Sequence, residues 1–492
     1  MIDFVSTRPV QCEDHVGQFI LTRAPGSIPS GWAQHQKDGW YIGANRLPVL
    51  PVSDKSGQHC GYCLGYPVGQ DELLTEAVTL PCQTGTVTEP GVIESFYRTT
   101  GGKFVLIILQ GDEQKVFLDP YGSLSTVFSI TNETVASTLT LIPGDREWDR
   151  DTITALSMPD SGLWFPSGLT ACRDVGRLLP NHCLDLKNWS VGRHWPKSPS
   201  DLAVENDTEY GVAAISRSLK GTIGAVARKY PLQMSLTAGR DVRMLLACAR
   251  NELSRMTFVT ISDNSTSVDD RVAARLAKRF SLEYRRIPVW AASHEALRHW
   301  LAVTGFAVSG DIWKMHKTLQ AFDKRRVMLT GIAGEVGRAF YWRPGDTEES
   351  ILSAVELLKR AQLPANDAIL RATEAWLANL AGYNAFQVLD LFYLEQRLGC
   401  WAGPQQYGNT TSAFELSPFN HRVVFTAMMK LQHDYRRDQR LSEDISRVNW
   451  PELLDYPFNQ YTLRDKLACR LLALSNRMFA GFKGIIGMVK TK

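Results

Sequence analysis

The sequence predicts an α+β N-terminal half followed by an α/β half built on a doubly wound parallel sheet with a helical C-terminal part. Three observations carry this. Before residue 150 the apolar runs are short, often alternating, and separated by turn formers. Prolines then cluster in Arg193-His-Trp-Pro-Lys-Ser-Pro199, which places a boundary near residue 200. From about 205 onward, β-branched runs alternate with long helical patterns, the signature of a parallel sheet covered on both faces.

In the first half, Lys103–Leu109 and Gln114–Leu118 read as strands, with Gly111-Asp112 as their hairpin turn and Asp119-Pro-Tyr-Gly122 as the next turn. Residues 151–200 carry many turn formers. In the second half a helix is expected over Thr208–Lys229, then a strand in the apolar run Pro231–Leu236, then a helix from Asp241 to Arg250. Met256–Ile261 is a β-branched strand, Ser262–Ser267 a polar loop, and Val268–Phe280 a helix with Val272, Ala273, Leu276 and Ala277 on one face. Leu282–Val289 is a further strand. Arg326–Thr330 is a buried strand feeding the small-residue turn Gly331-Ile-Ala-Gly334. Residues 350–492 are largely helical.

Composition bounds the function. With 44% apolar and 21% charged residues the chain is globular, and its length of 492 residues supports two or three domains. A net charge of +3 is too small to point to nucleic acid. No apolar run approaches the roughly 20 residues needed to span a bilayer. Met1-Ile-Asp-Phe-Val lacks the charged and apolar regions of a signal peptide, so a cytoplasmic location is expected. Nine scattered cysteines agree with a reducing compartment. His59, Cys60, Cys63 and Cys82 lack a second close pair, so core and loop thiols are favoured over a zinc site. The basic, apolar tail Phe479–Lys490 contains three glycines, which favours a docked or frayed end over a membrane-surface helix.

The most informative stretch is Ser235-Leu-Thr-Ala-Gly-Arg-Asp-Val-Arg243. Thr237, Ala238 and Gly239 are small enough for backbone N–H groups to approach an anion, and the next helix adds its positive end. Asp241 is badly placed to hold a phosphate but well placed to hold the magnesium that accompanies one. The residues alone read equally as a pyrophosphate loop or as an ordinary strand-to-helix turn.

Five motifs in order resemble the asparagine synthetase family. Ser235-Leu-Thr-Ala-Gly-Arg-Asp-Val is similar to its Ser-Gly-Gly-x-Asp-Ser loop. Thr330-Gly-Ile-Ala-Gly-Glu335-Val is similar to its second signature, and Ser417-Pro-Phe-Asn-His-Arg422 to its Pro-Phe-Leu-Asp-His-Arg. Gly102–Ile107 with Leu118–Gly122 resembles its glutaminase-like domain, and Leu179–His182 with Arg193–Trp195 the exit segment. The resemblance implies an Ntn-type β-sandwich over 1–200 and an ATP-pyrophosphatase domain over 205–492. It implies ATP and magnesium as cofactors. Ser235, Thr237, Ala238, Gly239, Arg240, Asp241 and Gly331 then bind the nucleotide, and Asp241 and Glu335 hold metal. Lys466 matches the family's catalytic lysine. Glu415 matches the glutamate that orients its basic group; the alternative for Lys466 is a solvated helix lysine. Arg436, Arg437 and Arg440 form a second basic group, and Glu395 with Arg397 reads as an internal salt link.

The departures shape the expected activity. The family's glutaminases carry a Cys nucleophile behind the initiator Met; here Ile2 has no lone pair, and Cys12 is too far along to replace it. Ile332 stands where β-lactam synthetases place a catalytic Tyr. Val242 replaces a pyrophosphate-binding Ser, for which Arg240 and Arg243 supply charge, Arg243 equally suiting a carboxylate cap. The resemblance therefore implies an ATP-dependent ligase that adenylates a small-molecule or peptide carboxylate and joins it to an amine from a source other than glutamine, as in macrolactam formation. A homodimer or a biosynthetic partner protein is compatible with it. The alternative is a non-catalytic nucleotide-binding or scaffold descendant.

Overall fold

The computed structural model describes residues 15–83, 87–159, 161–262, 267–290, 292–308, 318–410 and 414–459. The sequence features at Ile2, Cys12, 263–266, Lys466 and the 479–490 tail lie outside them.

The first thirteen strands all precede residue 194. They are β1 (Phe19–Thr22), β2 (Ala33–Lys37), β3 (Trp40–Ala44), β4 (Val49–Ser53), β5 (His59–Val68), β6 (Val78–Thr79), β7 (Gly101–Gln110), β8 (Glu113–Leu118), β9 (Thr126–Ser129), β10 (Thr134–Ala136), β11 (Gly176–Leu178), β12 (His182–Asp185) and β13 (Val191–Arg193). They form a six-stranded antiparallel sheet, ordered β11-β9-β10-β1-β3-β2, and a seven-stranded one, β13-β12-β8-β7-β5-β4-β6, in which only β4 and β6 run parallel. The Lys103–Leu109 run is continuous because β7 is buried on both faces. Val105, Ile107 and Leu109 meet Phe19, Leu21, Trp40 and Ile42 of the other sheet. Phe104, Leu106 and Ile108 meet Ile93, Phe96 and Tyr97 of the helix Pro90–Thr99. Alternate side chains point to opposite faces, so both sets must be apolar.

The other strands are β14 (Leu232–Ser235), β15 (Met256–Ser262), β16 (Tyr284–Pro288), β17 (Val327–Leu329) and β18 (Phe414–Leu416). All five run parallel, in the order β16-β15-β14-β17-β18. The chain steps outward from β14 to β16 and then returns to lay β17 on the other side of β14. This reversal sets the carboxyl ends of β14 and β17 side by side, the place where open α/β sheets take ligands.

Helices Thr208–Lys229, Arg240–Cys248, Ser267–Phe280 and His294–Val303 accompany this sheet. The first starts where the Asp207 carboxylate accepts from the Tyr210 amide at 2.8 Å. The expected helical C-terminal part is present from Ala354 to Asn449, with one correction: β18 interrupts it. A three-residue strand is too short to show alternation, and it is held by pairing with β17 rather than by its own pattern. The largest apolar cluster runs through both halves, from Ile20 and Val127 to Trp300, Phe306 and Leu453. Among the described residues no helix is long and apolar enough to cross a membrane.

Candidate functional site

The candidate site is built from two loops. After β14, the Leu236 amide still donates to Val259 of β15 at 2.8 Å, then Thr237–Gly239 turn into the helix that carries Asp241 in its first turn. Two of the loop amides already have partners. Gly239 N–H donates to Thr237 Oγ1 at 3.0 Å, and Ala238 N–H donates to the Asp269 carboxylate at 2.7 Å. An internal carboxylate thus satisfies a donor that the sequence assigns to phosphate. After β17, Ala333 takes a left-handed conformation (φ 76°), Gly334–Arg338 form a short 3-10 helix, and Ala339 is left-handed again (φ 52°).

The glycines of the second loop admit Asp241. A Cβ on Gly334 would stand 2.7 Å from Asp241 Oδ1 and 2.8 Å from its Cγ; one on Gly331 would stand 3.1 Å from its Cβ. The two loops are in contact at the aspartate.

Arg338 organises the charge. Its Nη2 and Nε donate to Asp241 Oδ2 and Oδ1 at 2.5 and 3.1 Å, and Nη2 lies 3.6 Å from Glu335 Oε1. The Tyr393 hydroxyl donates to Glu335 Oε2 at 3.1 Å. Burial, and then the negative charge of Glu335, push the Asp241 carboxyl up to about 7 against the pull of Arg338. Burial and the same two carboxylates push the Tyr393 phenol well above its ordinary value. The sequence pairs Asp241 with Glu335, and the structure brings both onto one guanidinium. It does not point to Arg338 or Tyr393. The spacing of Arg338, three residues after Glu335, is the one available signal. Tyr393 opens a π-helix, Tyr393–Ala402, that nothing in the sequence announces.

Two hard carboxylates suit magnesium, which keeps water and phosphate ligands rather than a full protein cage. Among the described residues, His59, Cys60, Cys63 and Cys82 included, no group of three or more His, Cys, Asp or Glu could hold a metal ion by itself.

Other predicted site residues lie elsewhere. Arg240 turns to the helix Leu441–Asn449, donating to Ser442 Oγ at 2.8 Å and Gln439 O at 3.2 Å. Arg243 neither lends charge to the loop nor caps a carboxylate. It is fully buried, stacks on Phe458 at 4.8 Å, and donates to the carbonyls of Leu453 and Tyr456 at 2.9 and 3.1 Å. Glu415 accepts from Gln406 and Asn409, both at 3.1 Å, and Gln406 accepts from Lys103 at 3.0 Å. Burial pushes the Glu415 carboxyl up and the Lys103 amine down to about 8. The arginines expected beside Glu415 are engaged elsewhere. Arg436 clamps Asp390 at 2.6 and 2.7 Å and donates to Val336 O at 2.7 Å. Arg437 donates to Asp346 O at 2.5 Å, and Arg440 lies over Tyr435. Glu395 pairs with Arg193 rather than Arg397, which instead stacks on Trp401 at 3.8 Å.

The third motif ties this region to the antiparallel sheets. Ser417 Oγ donates to Ile332 O at 2.6 Å, behind the second loop. Asn420 then donates to Gly102 O at 2.5 Å and to Asp119, and the Arg422 guanidinium lies 4.6 Å from the Tyr97 ring centre and 4.2 Å from that of Trp195 while donating to Asn181 at 3.3 Å. No protein-family model matches the chain, and no curated protein matches its sequence.

Proposed function

We propose that the chain is an ATP- and magnesium-dependent ligase that activates a carboxylate as its adenylate and joins it to an amine not taken from glutamine. One observation carries the reading: two small-residue loops meet at the reversal of strand order, and each brings a carboxylate, Asp241 and Glu335, to the same point. In this reading residues 1–200 are a degenerate glutaminase-like, Ntn-type domain, residues 205–492 are the ATP-pyrophosphatase domain, and Ser235, Thr237, Ala238, Gly239 and Asp241 with Gly331 face the triphosphate.

The chemistry balances simply. A carboxylate oxygen attacks the α-phosphorus of ATP and pyrophosphate leaves. The amine nitrogen then attacks the acyl carbon, AMP leaves, and the amine loses a proton. Magnesium held by Asp241 and Glu335 would neutralise the phosphates and the leaving pyrophosphate. The remaining work of the chain is orientation and exclusion of water from the adenylate. The test is pyrophosphate release with a panel of carboxylic acids. Asp241→Ala is expected to lower it by about a hundredfold or more; full activity in that variant refutes the mechanism.

A second reading is favoured by two contacts. Asp269 occupies the Ala238 amide and Arg338 occupies Asp241, as in a descendant that has given up catalysis and serves as a nucleotide-binding or scaffold protein. Calorimetry with magnesium-ATP, together with pyrophosphate release, separates these: binding without turnover on any acid favours the nucleotide-binding descendant, and no binding the scaffold.

A further inference from the structure

Arg338 stands where a cation is called for. Two parallel N–H···O bonds join it to Asp241, and Glu335 approaches the same nitrogen at 3.6 Å. Such a planar fork is the strongest form of arginine–carboxylate pairing, and the guanidinium keeps its charge at any ordinary pH. Among the described residues the hydrogen-bond and ion-pair partners given for it are these two carboxylates. Its side chain keeps about one-fifth of its surface in contact with solvent, more than the Asp241 carboxylate it holds. The segment that carries it is bracketed by Ala333 and Ala339, both left-handed, a conformation that costs an L-residue energy and is kept only where surrounding structure imposes it.

We propose that Arg338 is a displaceable internal cation: it holds Asp241 and Glu335 in the nucleotide-free protein, bars a free divalent ion from them, and yields Asp241 to the magnesium that arrives on a nucleotide, passing its own N–H groups to phosphoryl oxygen. This rests on the nucleotide reading of the two loops. The consequence is ordered loading. Metal enters with the nucleotide and not before it, because only the pair brings both a replacement cation for Asp241 and a replacement anion for Arg338. Asp269 on the Ala238 amide is the matching stand-in for phosphate, so both charges of the incoming ligand have a surrogate in the resting protein.

The test uses Mn2+ as a paramagnetic probe, titrated into the nucleotide-free full chain and followed by the loss of the free-ion resonance. Wild type is expected to bind it weakly. Arg338→Met is expected to bind at least about tenfold more tightly, the scale of removing one charge-assisted pair, and adding Asp241→Asn is expected to abolish the gain. Arg338→Lys keeps a cation and should fall between wild type and Arg338→Met, an ordering that a purely structural role does not produce. Wild type binding Mn2+ as tightly as Arg338→Met overturns the proposal, as does a series in which no variant binds. Wild-type affinity alone decides if Arg338→Met does not fold: stoichiometric Mn2+ uptake without nucleotide refutes it. Calorimetry with magnesium-ATP keeps the two ideas apart. Nucleotide binding with a flat Mn2+ series sinks only the role of Arg338, whereas no nucleotide binding sinks the underlying reading and with it the exchange onto phosphate.

Discussion

Asn420 donates its side-chain amide to the Asp119 carboxylate across 2.8 Å, joining residues 301 positions apart in the chain. The same amide reaches Gly102 O, and the Asn420 side-chain oxygen accepts from the Tyr121 amide at 3.2 Å. Asp119 is fully buried, and burial pushes its carboxyl up despite donors from Ser123, Asn420 and Phe104. No cation is among those donors, so the joint depends on the number of hydrogen bonds.

Asn420→Ala is therefore expected to cost about 2–4 kcal/mol, since it strips a donor from a buried carboxylate and leaves the Gly102 carbonyl short of one. Urea unfolding measures this. Asn420→Asp should cost more at neutral pH, because it faces one buried carboxylate with another; a smaller loss than in the alanine variant contradicts the account.

Glu395 offers a sharper contrast. It is fully buried, and burial alone would push its carboxyl up. Arg193, then His182, and hydrogen bonds from Arg193 and Trp376 hold it below the usual range. Glu395→Gln leaves the Arg193 charge uncompensated, at an expected cost of about 3–5 kcal/mol. Replacing both with Met is expected to cost less than the single change. A double-mutant cycle on unfolding free energies checks the ordering, and strict additivity would show that the two charges do not sense each other.

Gly334→Ala separates site from scaffold. The new Cβ would lie within 3 Å of three Asp241 atoms, so Asp241 or the second loop must shift and their present juxtaposition is lost. Magnesium-nucleotide affinity is expected to fall by about tenfold or more, with a loss of stability no larger than about 1–3 kcal/mol, the usual range for overpacking. Unchanged nucleotide affinity together with lost stability would mean that this contact serves packing only.

Three buried histidines predict acid sensitivity. Burial pushes His421 down to about 4, assisted by Arg422. Burial also lowers His182, and lowers His194 well below the ordinary histidine range. Folded, they are neutral; unfolded, they take up protons near pH 6.5. The unfolded chain therefore binds more protons between about pH 6.5 and 4, and stability falls as pH falls through that window. Asp119 and Glu415, whose carboxyls are raised, act in the opposite direction, so the informative quantity is the difference between variants. His421→Gln keeps an acceptor for the Val423 amide and should flatten the slope by up to about 1.4 kcal/mol per pH unit. Parallel curves for variant and wild type would exclude the histidine.

Much of this framework is legible in the sequence because it follows from local pattern. The helix Thr208–Lys229 and the strands β14 to β17 have the expected bounds to within two residues, since their apolar pattern is local, whereas β18 lies in a stretch expected to be helical. The meeting of Asp241 with Glu335 is legible only through the resemblance of two separate loops. Long-range pairing is where the reading fails. Arg243 looks like a loop cation but is buried under residues 453–458, more than two hundred positions away. Glu395 looks paired to Arg397, yet residues two apart do not face each other on a helix, and its partner comes from β13. Arg338 reaches Asp241 through two left-handed alanines, a backbone conformation that alanine does not advertise.

The Asp119–Asn420 bond also sets a timetable. At ribosomal rates of about 5–20 residues per second, Asp119 is made roughly 15–60 s before the residue that completes its hydrogen bonds. Through that interval the nascent first half holds a carboxylate destined for burial and a Gly102 edge awaiting its partner. The first half is thus able to collapse early but is finished late, and a synonymous change that slows translation between them lengthens its exposure without altering one atom of the final molecule.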